Sequence, residues 1–189
     1  MKYSIVLTTI NKPGLLRDYA TNFLKFGHKE EVEILIIGDR KTPDEVEILA
    51  REIREMGINA EYFDIPKQLN WLKKFPDLEK IIPYNSDNRR NIGYLIAVER
   101  GSEIIIALDD DNFVDNTDDY LISHSIVGKE LNFKAISDKS GWFNICNMIN
   151  FKPERKVYPR GYPYYKRGLD GEVSIREING RIVINEGLW

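Results

Sequence analysis

The amino-acid sequence predicts an α/β fold with a mainly parallel sheet flanked by helices. Three observations lead there. Short apolar runs rich in β-branched residues alternate with stretches whose apolar residues recur at helical spacing. The helical stretches carry their own start and stop residues. The order strand, helix, strand, helix, strand, helix, strand runs without an internal repeat or low-complexity linker, as parallel strands joined by crossover helices do. The 189 residues are read as a single domain, large enough for a substantial core.

Tyr3 to Thr9 is the first strand. Asn11 is placed to cap the following helix, with Pro13 in its first turn. Leu15, Leu16, Tyr19, Phe23 and Leu24 give that helix a core face, and Gly27 stops it. Val32 to Ile37 is a second buried strand, ending in the polar loop Gly38-Asp39-Arg40-Lys41. Thr42 and Glu45 form a capping-box signature around Pro43. Val46, Leu49, Ala50, Ile53 and Met56 mark the next apolar face, and Gly57 ends it. Ala60 to Phe63 is a third, shorter strand. Pro66 to Lys80 reads as one helix or two turns, with Asp64 and Trp71 nearby in structural roles.

Ser86 or Asp87 caps the next helix, where Ile92, Leu95 and Ile96 form the apolar stripe. Gly93 and Ala97, four apart, let another backbone come close, and Gly101 ends the helix. Ile104 to Leu108 is a continuous apolar run that suits a strand buried on both faces. Beyond Asn112 the periodicity fades. Asp118 to Val127 reads as a helix and Phe133 to Ile136 as a strand. Pro159 to Gly171 is a loop rich in Gly, Pro and Tyr. Val173 to Ile178 and Arg181 to Ile184 read as a hairpin turning at Gly180. The final Leu188-Trp189 is either an inward-packed end or the end of a shortened chain.

Composition narrows the function classes. Hydrophobic content of 42% with 30% charged residues describes a soluble globular protein. No apolar run is long enough for a transmembrane helix, and MKYSIVLTTI enters the fold as a strand without a signal-peptide cleavage pattern. The single Cys146 forms no internal disulfide, which fits a reducing, cytoplasmic setting. A net charge of −3 with mixed signs argues against nucleic acid as a partner. The absence of a GxxxxGK(S/T) loop, and of GxGxxG after the first strand, argues against P-loop and dinucleotide-binding chemistry. A nucleotidyltransferase favours a Gly-rich first loop, and TTINKPG carries only Gly14.

The stretch from Ile82 to Asn112 carries the chemistry. Its strand ends in Asp109, Asp110 and Asp111, and adjacent carboxylates at a buried strand end oppose one another's ionisation. A hard divalent cation, Mg²⁺ or Mn²⁺, relieves that conflict. If strand geometry persists, Asp109 and Asp111 share one side and Asp110 takes the other. Arg89 and Arg90 open the preceding helix, and both guanidinium groups and a helix N-terminus favour phosphate. Open parallel sheets bind ligands at the carboxyl ends of their strands. Metal and phosphate ligands on consecutive elements suggest a nucleotide diphosphate. The plainer reading is a solvated acidic loop beside two surface arginines.

A parallel α/β half whose fourth strand ends in an acidic cluster resembles the GT-A glycosyltransferases, whose Asp-x-Asp motif holds a divalent ion on a sugar nucleotide. IIGDRKTP (Ile36 to Pro43) and the Ile82 to Asn112 stretch resemble the STELLO-type glycosyltransferase-like proteins. ALDDDN, RGYP (Arg160 to Pro163) and EGLW (Glu186 to Trp189) resemble the reversibly glycosylated polypeptides, which act as UDP-arabinopyranose mutases. The resemblance implies a GT-A-like fold, a nucleotide-sugar donor, an acceptor the sequence does not identify, and Mn²⁺ or Mg²⁺. It implies Asp109 and Asp111 for the metal and the ribose, and Asp110 as a catalytic carboxylate close to the sugar or the metal. Asp39 is implied for the base or ribose, and Arg89, Arg90 and Asn91 for the ribose-diphosphate. Thr8 joins this donor-binding set. Arg160 matches the arginine that becomes glycosylated in the mutases, although those relatives continue past the GLW segment and differ after the arginine.

Among the remaining residues, Arg160 has Tyr158, Tyr162, Tyr164 and Tyr165 as candidate stacking partners, or else lies in a tyrosine-rich surface loop. His28 and His124 lack metal-ligand spacing and are assigned surface or capping roles. Asp138, Lys139 and Ser140 read as a plain turn rather than the lining of an acceptor pocket, Cys146 as a buried hydrophobe, and Trp189 as core rather than a wall of the donor pocket.

Overall fold

The computed structural model describes residues 2–169 and 171–184; the EGLW segment, with Trp189, lies outside the described residues. The chain divides into two compact units, one ending at Val127 and one beginning at Gly128.

The first unit runs β1 (Tyr3–Thr9), α1 (Leu16–Lys25), β2 (Val32–Gly38), α2 (Glu45–Met56), β3 (Asn59–Phe63), α3 (Ile65–Leu72) and α4 (Pro76–Ile81). A 3₁₀ turn (Asp87–Arg89) then leads into α5 (Arg90–Glu99), β4 (Ile104–Leu108) and α6 (Tyr120–His124). All strand pairs are parallel, in the order β3-β2-β1-β4. Side chains alternate across the two central strands. Ile5, Leu7, Ile34 and Ile36 join one core with Leu16, Phe23, Leu49 and Ile53 of α1 and α2. Val6, Leu35 and Ile37 join the other with Ile92, Ile96 and Ala97 of α5. Each fully buried Ile or Leu contributes about 1.5–3 kcal/mol.

Gly93 accounts for how closely α5 lies on the sheet. A Cβ there would stand 2.5 Å from Val6 Cγ1 and 2.9 Å from Ile37 Cγ1. Gly27, Gly57 and Gly101 have positive φ where α1, α2 and α5 end. Asp64 Oδ1 accepts from Lys67 N at the start of α3, and Trp71 Nε1 donates to Glu99, so both are structural.

Four local expectations are corrected. Asn11 does not cap α1, which begins at Leu16 after a turn with no side-chain cap; its amide donates to Asp110 instead. Thr42 does not cap α2. Its hydroxyl accepts from Asp39 N (2.7 Å) and donates to Thr9 O (2.6 Å), tying the end of β1 to that of β2. Among the described strands β4 is an edge of the sheet, so Ala107 is exposed and Ile105 half-buried rather than covered on both faces. The helix expected over 118–127 is only Tyr120–His124, with Asp119 as its cap.

In the second unit β5 (Glu130–Asp138) and β6 (Val173–Arg181) pair antiparallel over their full length. Gly180 stands opposite Leu131 inside β6, not in a hairpin turn; the long-range partner β5 takes up the bonds a local hairpin would have used. Ser140 N and Gly141 N donate to Asp138, forming the expected turn. Cys146 is half-buried rather than buried; the buried residue beside it is Asn144, which caps the 3₁₀ turn Ile145–Met148. Among the described residues no helix is long and apolar enough to cross a membrane.

Candidate functional site

β1 lies between β2 and β4. The chain leaves β1 toward β2 and β3, then returns on its other side as β4. Loops diverge at such a switch point and leave a crevice at the carboxyl ends. Here the crevice is a cavity of about 400 Å³. Thr8, Asp39, Arg89, Arg90, Asp109, Asp110 and Asp111, all singled out in the sequence, line it together.

Asp39 closes the β2 side. It is 8% exposed, and its two oxygens accept from Arg40 N (2.7 Å) and Ser86 N (3.3 Å). The carboxylate therefore holds the loop before α5 against the end of β2. In that loop Asn85 takes a φ of 52°, a left-handed conformation that asparagine tolerates better than most residues. Asn85, Ser86 and Asp87 also line the cavity; the sequence marked Ser86 and Asp87 only as caps, and Ser86 does cap the 3₁₀ turn, accepting from Asn88 N. Tyr84 supports the loop: the guanidinium carbons of Arg40 and Arg89 lie 3.7 and 4.5 Å from its ring centroid, cation–π geometry.

The two neighbouring arginines differ in their settings. Arg89 is 2% exposed and reaches back to Gln68, whose Oε1 accepts from Nε (2.9 Å) and Nη2 (2.6 Å). Burial lowers its pKa from the usual guanidinium value, opposed by the charge of Asp39. Arg90 donates through Nε to Thr8 Oγ1 (3.2 Å) and pairs with Asp109 through Nη2. Burial alone would lower its pKa too, but Asp109 outweighs that and raises it.

The acidic run does not continue the strand. β4 ends at Leu108, and residues 109–112 turn, with Asp109 N donating to Asn112 Oδ1 (2.9 Å) and Asn112 N to Asp109 O (3.3 Å). The expected two-sided alternation of Asp109, Asp110 and Asp111 is therefore replaced by a turn. Asp109 faces Arg90. Asp110 Oδ2 accepts from Thr9 Oγ1 and Asn11 Nδ2, and Asp111 is exposed.

Among the described residues no three His, Cys, Asp or Glu side chains converge as a metal-ligand set. The cavity is nonetheless lined by five aspartates against two arginines, an excess of negative charge. Its carboxylate oxygens suit a hard cation, and Mg²⁺ is commonly held by one or two carboxylates with phosphate and water completing the shell. Asp109 and Asp111 both line the cavity, and they form no protein-only cage for an ion.

Two expected residues lie elsewhere. Asn91 is exposed, donates to Asn88 O (2.9 Å), and does not line the cavity. Arg160 belongs to the second unit, exposed at a tight turn where Tyr162 N donates to Pro159 O. The guanidinium over the tyrosines of this loop is that of Arg167, 5.4 Å from Tyr158 and 5.2 Å from Tyr164. Gln68 was missed altogether. Its signal was a polar residue four positions before Leu72 on the buried side of α3.

No family model matches this chain, and no curated protein matches it.

Proposed function

We propose that this chain is a metal-dependent glycosyltransferase with a GT-A-like fold, taking its sugar from a nucleotide-diphosphate donor bound at the carboxyl ends of β1, β2 and β4. The observation that supports this reading is the shared cavity of Thr8, Asp39, Arg89, Arg90 and the 109–111 carboxylates. Phosphate groups need fixed cations, and the arginines supply them from one side. The ribose and base need hydrogen-bonding groups, and Asp39 and Thr8 offer them at the neighbouring strand ends.

Transfer breaks the bond between the anomeric carbon and the diphosphate oxygen and forms one to an acceptor oxygen. The acceptor's proton must leave as that bond forms. In this reading Asp110 takes it, since both its hydrogen bonds fall on Oδ2. Arg89 and Arg90 hold the departing diphosphate as its charge grows. Mg²⁺ or Mn²⁺, held by Asp109 and Asp111 with the phosphates, would supply neutralising charge. Arg90 would then exchange Asp109 for phosphate.

A nucleotide-sugar mutase is the second reading. It draws on the exposure of Arg160 at its turn, where a guanidine nucleophile would be accessible. A non-catalytic sugar-nucleotide-binding protein is the third. A thermal-shift screen of nucleoside diphosphates and sugar nucleotides, with and without Mn²⁺, tests the first reading, because ligands of the folded state raise its apparent stability. Turnover of a hit separates enzyme from binder. No shift with any of them would defeat it.

A further inference from the structure

We infer that Gln68 aims Arg89 into the cavity while leaving its charge unneutralised, making the Arg89 end of the cavity a subsite for one phosphate group. The inference deepens the donor-site reading and rests on it for the identity of the ligand, a diphosphate.

Gln68 is fully buried, and all its hydrogen-bonding capacity is used. Nε2 donates to Gly38 O and Phe63 O, both at 2.7 Å, so the amide bridges the carboxyl ends of β2 and β3. Those two donations fix which end of the amide is oxygen. Oε1 then accepts Nε and Nη2 of Arg89. The guanidinium is gripped along one edge, with Tyr84 against its face. Gln68 does not line the cavity and Arg89 does, so the amide stands behind the arginine.

The grip is neutral. A buried guanidinium is ordinarily paired with a carboxylate, because an isolated buried charge is costly. Among the described residues no carboxylate stands within ion-pair distance of Arg89, whereas Arg90 beside it is paired with Asp109. Nη1 has no hydrogen bond among the described residues, so its two N–H groups, with the second N–H of Nη2, are left to reach a ligand. A 98%-buried cation held by an amide and lining a cavity is an anion site in waiting. The charge of Asp39 acts on Arg89 only through space, since no ion pair joins them, and its oxygens hold Arg40 N and Ser86 N. The planar guanidinium suits a phosphate oxygen better than a mobile ammonium would.

The test is calorimetric titration of the full chain with pyrophosphate at fixed Mg²⁺, with melting temperatures recorded in parallel. Gln68→Met keeps the volume and removes the grip; we expect pyrophosphate affinity to fall about tenfold or more. Gln68→Glu keeps an acceptor for Arg89 but cancels its charge, and we expect it to bind no better than Gln68→Met. A merely structural role would lower the melting temperature and leave affinity alone. Parent-like affinity in either variant, or recovery in Gln68→Glu, overturns the inference, as does a parent that does not bind pyrophosphate. Should Gln68→Met not fold, Arg89→Lys decides: it keeps the charge but loses the fork, and a loss of about tenfold is expected, while parent-like affinity overturns the assignment. Pyrophosphate binding that follows these variants while no sugar nucleotide binds leaves the subsite standing and removes the glycosyltransferase reading. Sugar nucleotides that bind parent and Gln68 variants alike do the reverse.

Discussion

Thr9 Oγ1 donates to Asp110 Oδ2 at 2.8 Å, and so latches the acidic turn after β4 to the end of β1. Asn11 Nδ2 reaches the same oxygen at 3.2 Å. Asp110→Asn can keep both contacts through its amide oxygen while removing the base. If Asp110 accepts the acceptor's proton, nucleoside-diphosphate affinity should stay within about twofold and turnover should fall by about 10²–10⁴, the usual worth of a general base. Titration and product release from a productive donor measure the two separately. Lost affinity with intact turnover would move Asp110 from catalysis to binding.

Five aspartates and two arginines line the cavity, so a polyanionic ligand meets net repulsion unless a cation comes with it. Nucleoside diphosphate should therefore raise the melting temperature with Mn²⁺ and not in chelator. At a hundredfold excess over Kd the stabilisation is about 2.7 kcal/mol. Asp111→Ala, at an exposed position, should leave the unliganded melting temperature unchanged and abolish the Mn²⁺-dependent shift. Equal shifts in chelator and Mn²⁺ would count against a metal-bridged donor.

Gly93→Ala sets two effects against each other. Replacing a helix-interior glycine gains about 1 kcal/mol in propensity. The new Cβ would sit 2.5 Å from Val6 and 2.9 Å from Ile37, both fully buried, and overpacking of this kind costs about 1–3 kcal/mol. Two rigid β-branched neighbours give little, so the clash should win by about 1 kcal/mol. Urea midpoints at unchanged slope would show it. Arg90 rides on α5 and Arg89 on the turn before it, so phosphate affinity should fall as well.

His28 lies between Glu31 and Asp119, at 2.7 and 3.0 Å. Burial alone lowers its pKa, but hydrogen bonds and charge from the two carboxylates outweigh that and raise it. A raised folded pKa stabilises most fully below the unfolded value of about 6.5 and loses the contribution as pH climbs through the folded value. The melting temperature of the parent should exceed that of His28→Asn most at about pH 6, with the gap narrowing above neutrality. A gap that widens toward alkaline pH would mean that the imidazole acts here as a neutral hydrogen-bonding group.

Where strands and ligands follow local rules, the sequence was readable. β1, β2 and β4 show as apolar runs, and the residues just past them are fixed at one sheet edge by the parallel order. That is why Asp39 and the 109–111 carboxylates are legible as neighbours from the sequence, whereas Thr8, inside β1, entered only through the family resemblance. The details that failed depend on tertiary competition. Asn11 and Thr42 have the chemistry of helix caps, but Asp110 and the strand ends offered them other partners. β6 looked like half of a local hairpin because its true partner, β5, begins 43 residues earlier. Gln68 stayed hidden because its meaning lies in four groups from three other segments.

If the resemblance of RGYP to the mutases carries function, Arg160 is the residue that separates transferase from mutase. As a mutase nucleophile it must shed a proton when it attacks the anomeric carbon, and a guanidinium holds its proton tightly. A carboxylate close by would have to receive that proton. Within its own unit the surroundings run the other way: Lys166 and Arg167 share the loop, and the cation stacked on Tyr158 and Tyr164 is Arg167. Tyrosine faces that would help hold a sugar against Arg160 are thus engaged by another guanidinium. In the transferase reading Arg160 keeps its charge throughout and forms no bond to the sugar. Incubation with a productive donor and Mn²⁺, followed by intact-mass spectrometry, should then give no adduct. A stoichiometric single-sugar adduct mapped to Arg160 would decide for the mutase, since a residue that only holds the donor never carries the sugar away from it.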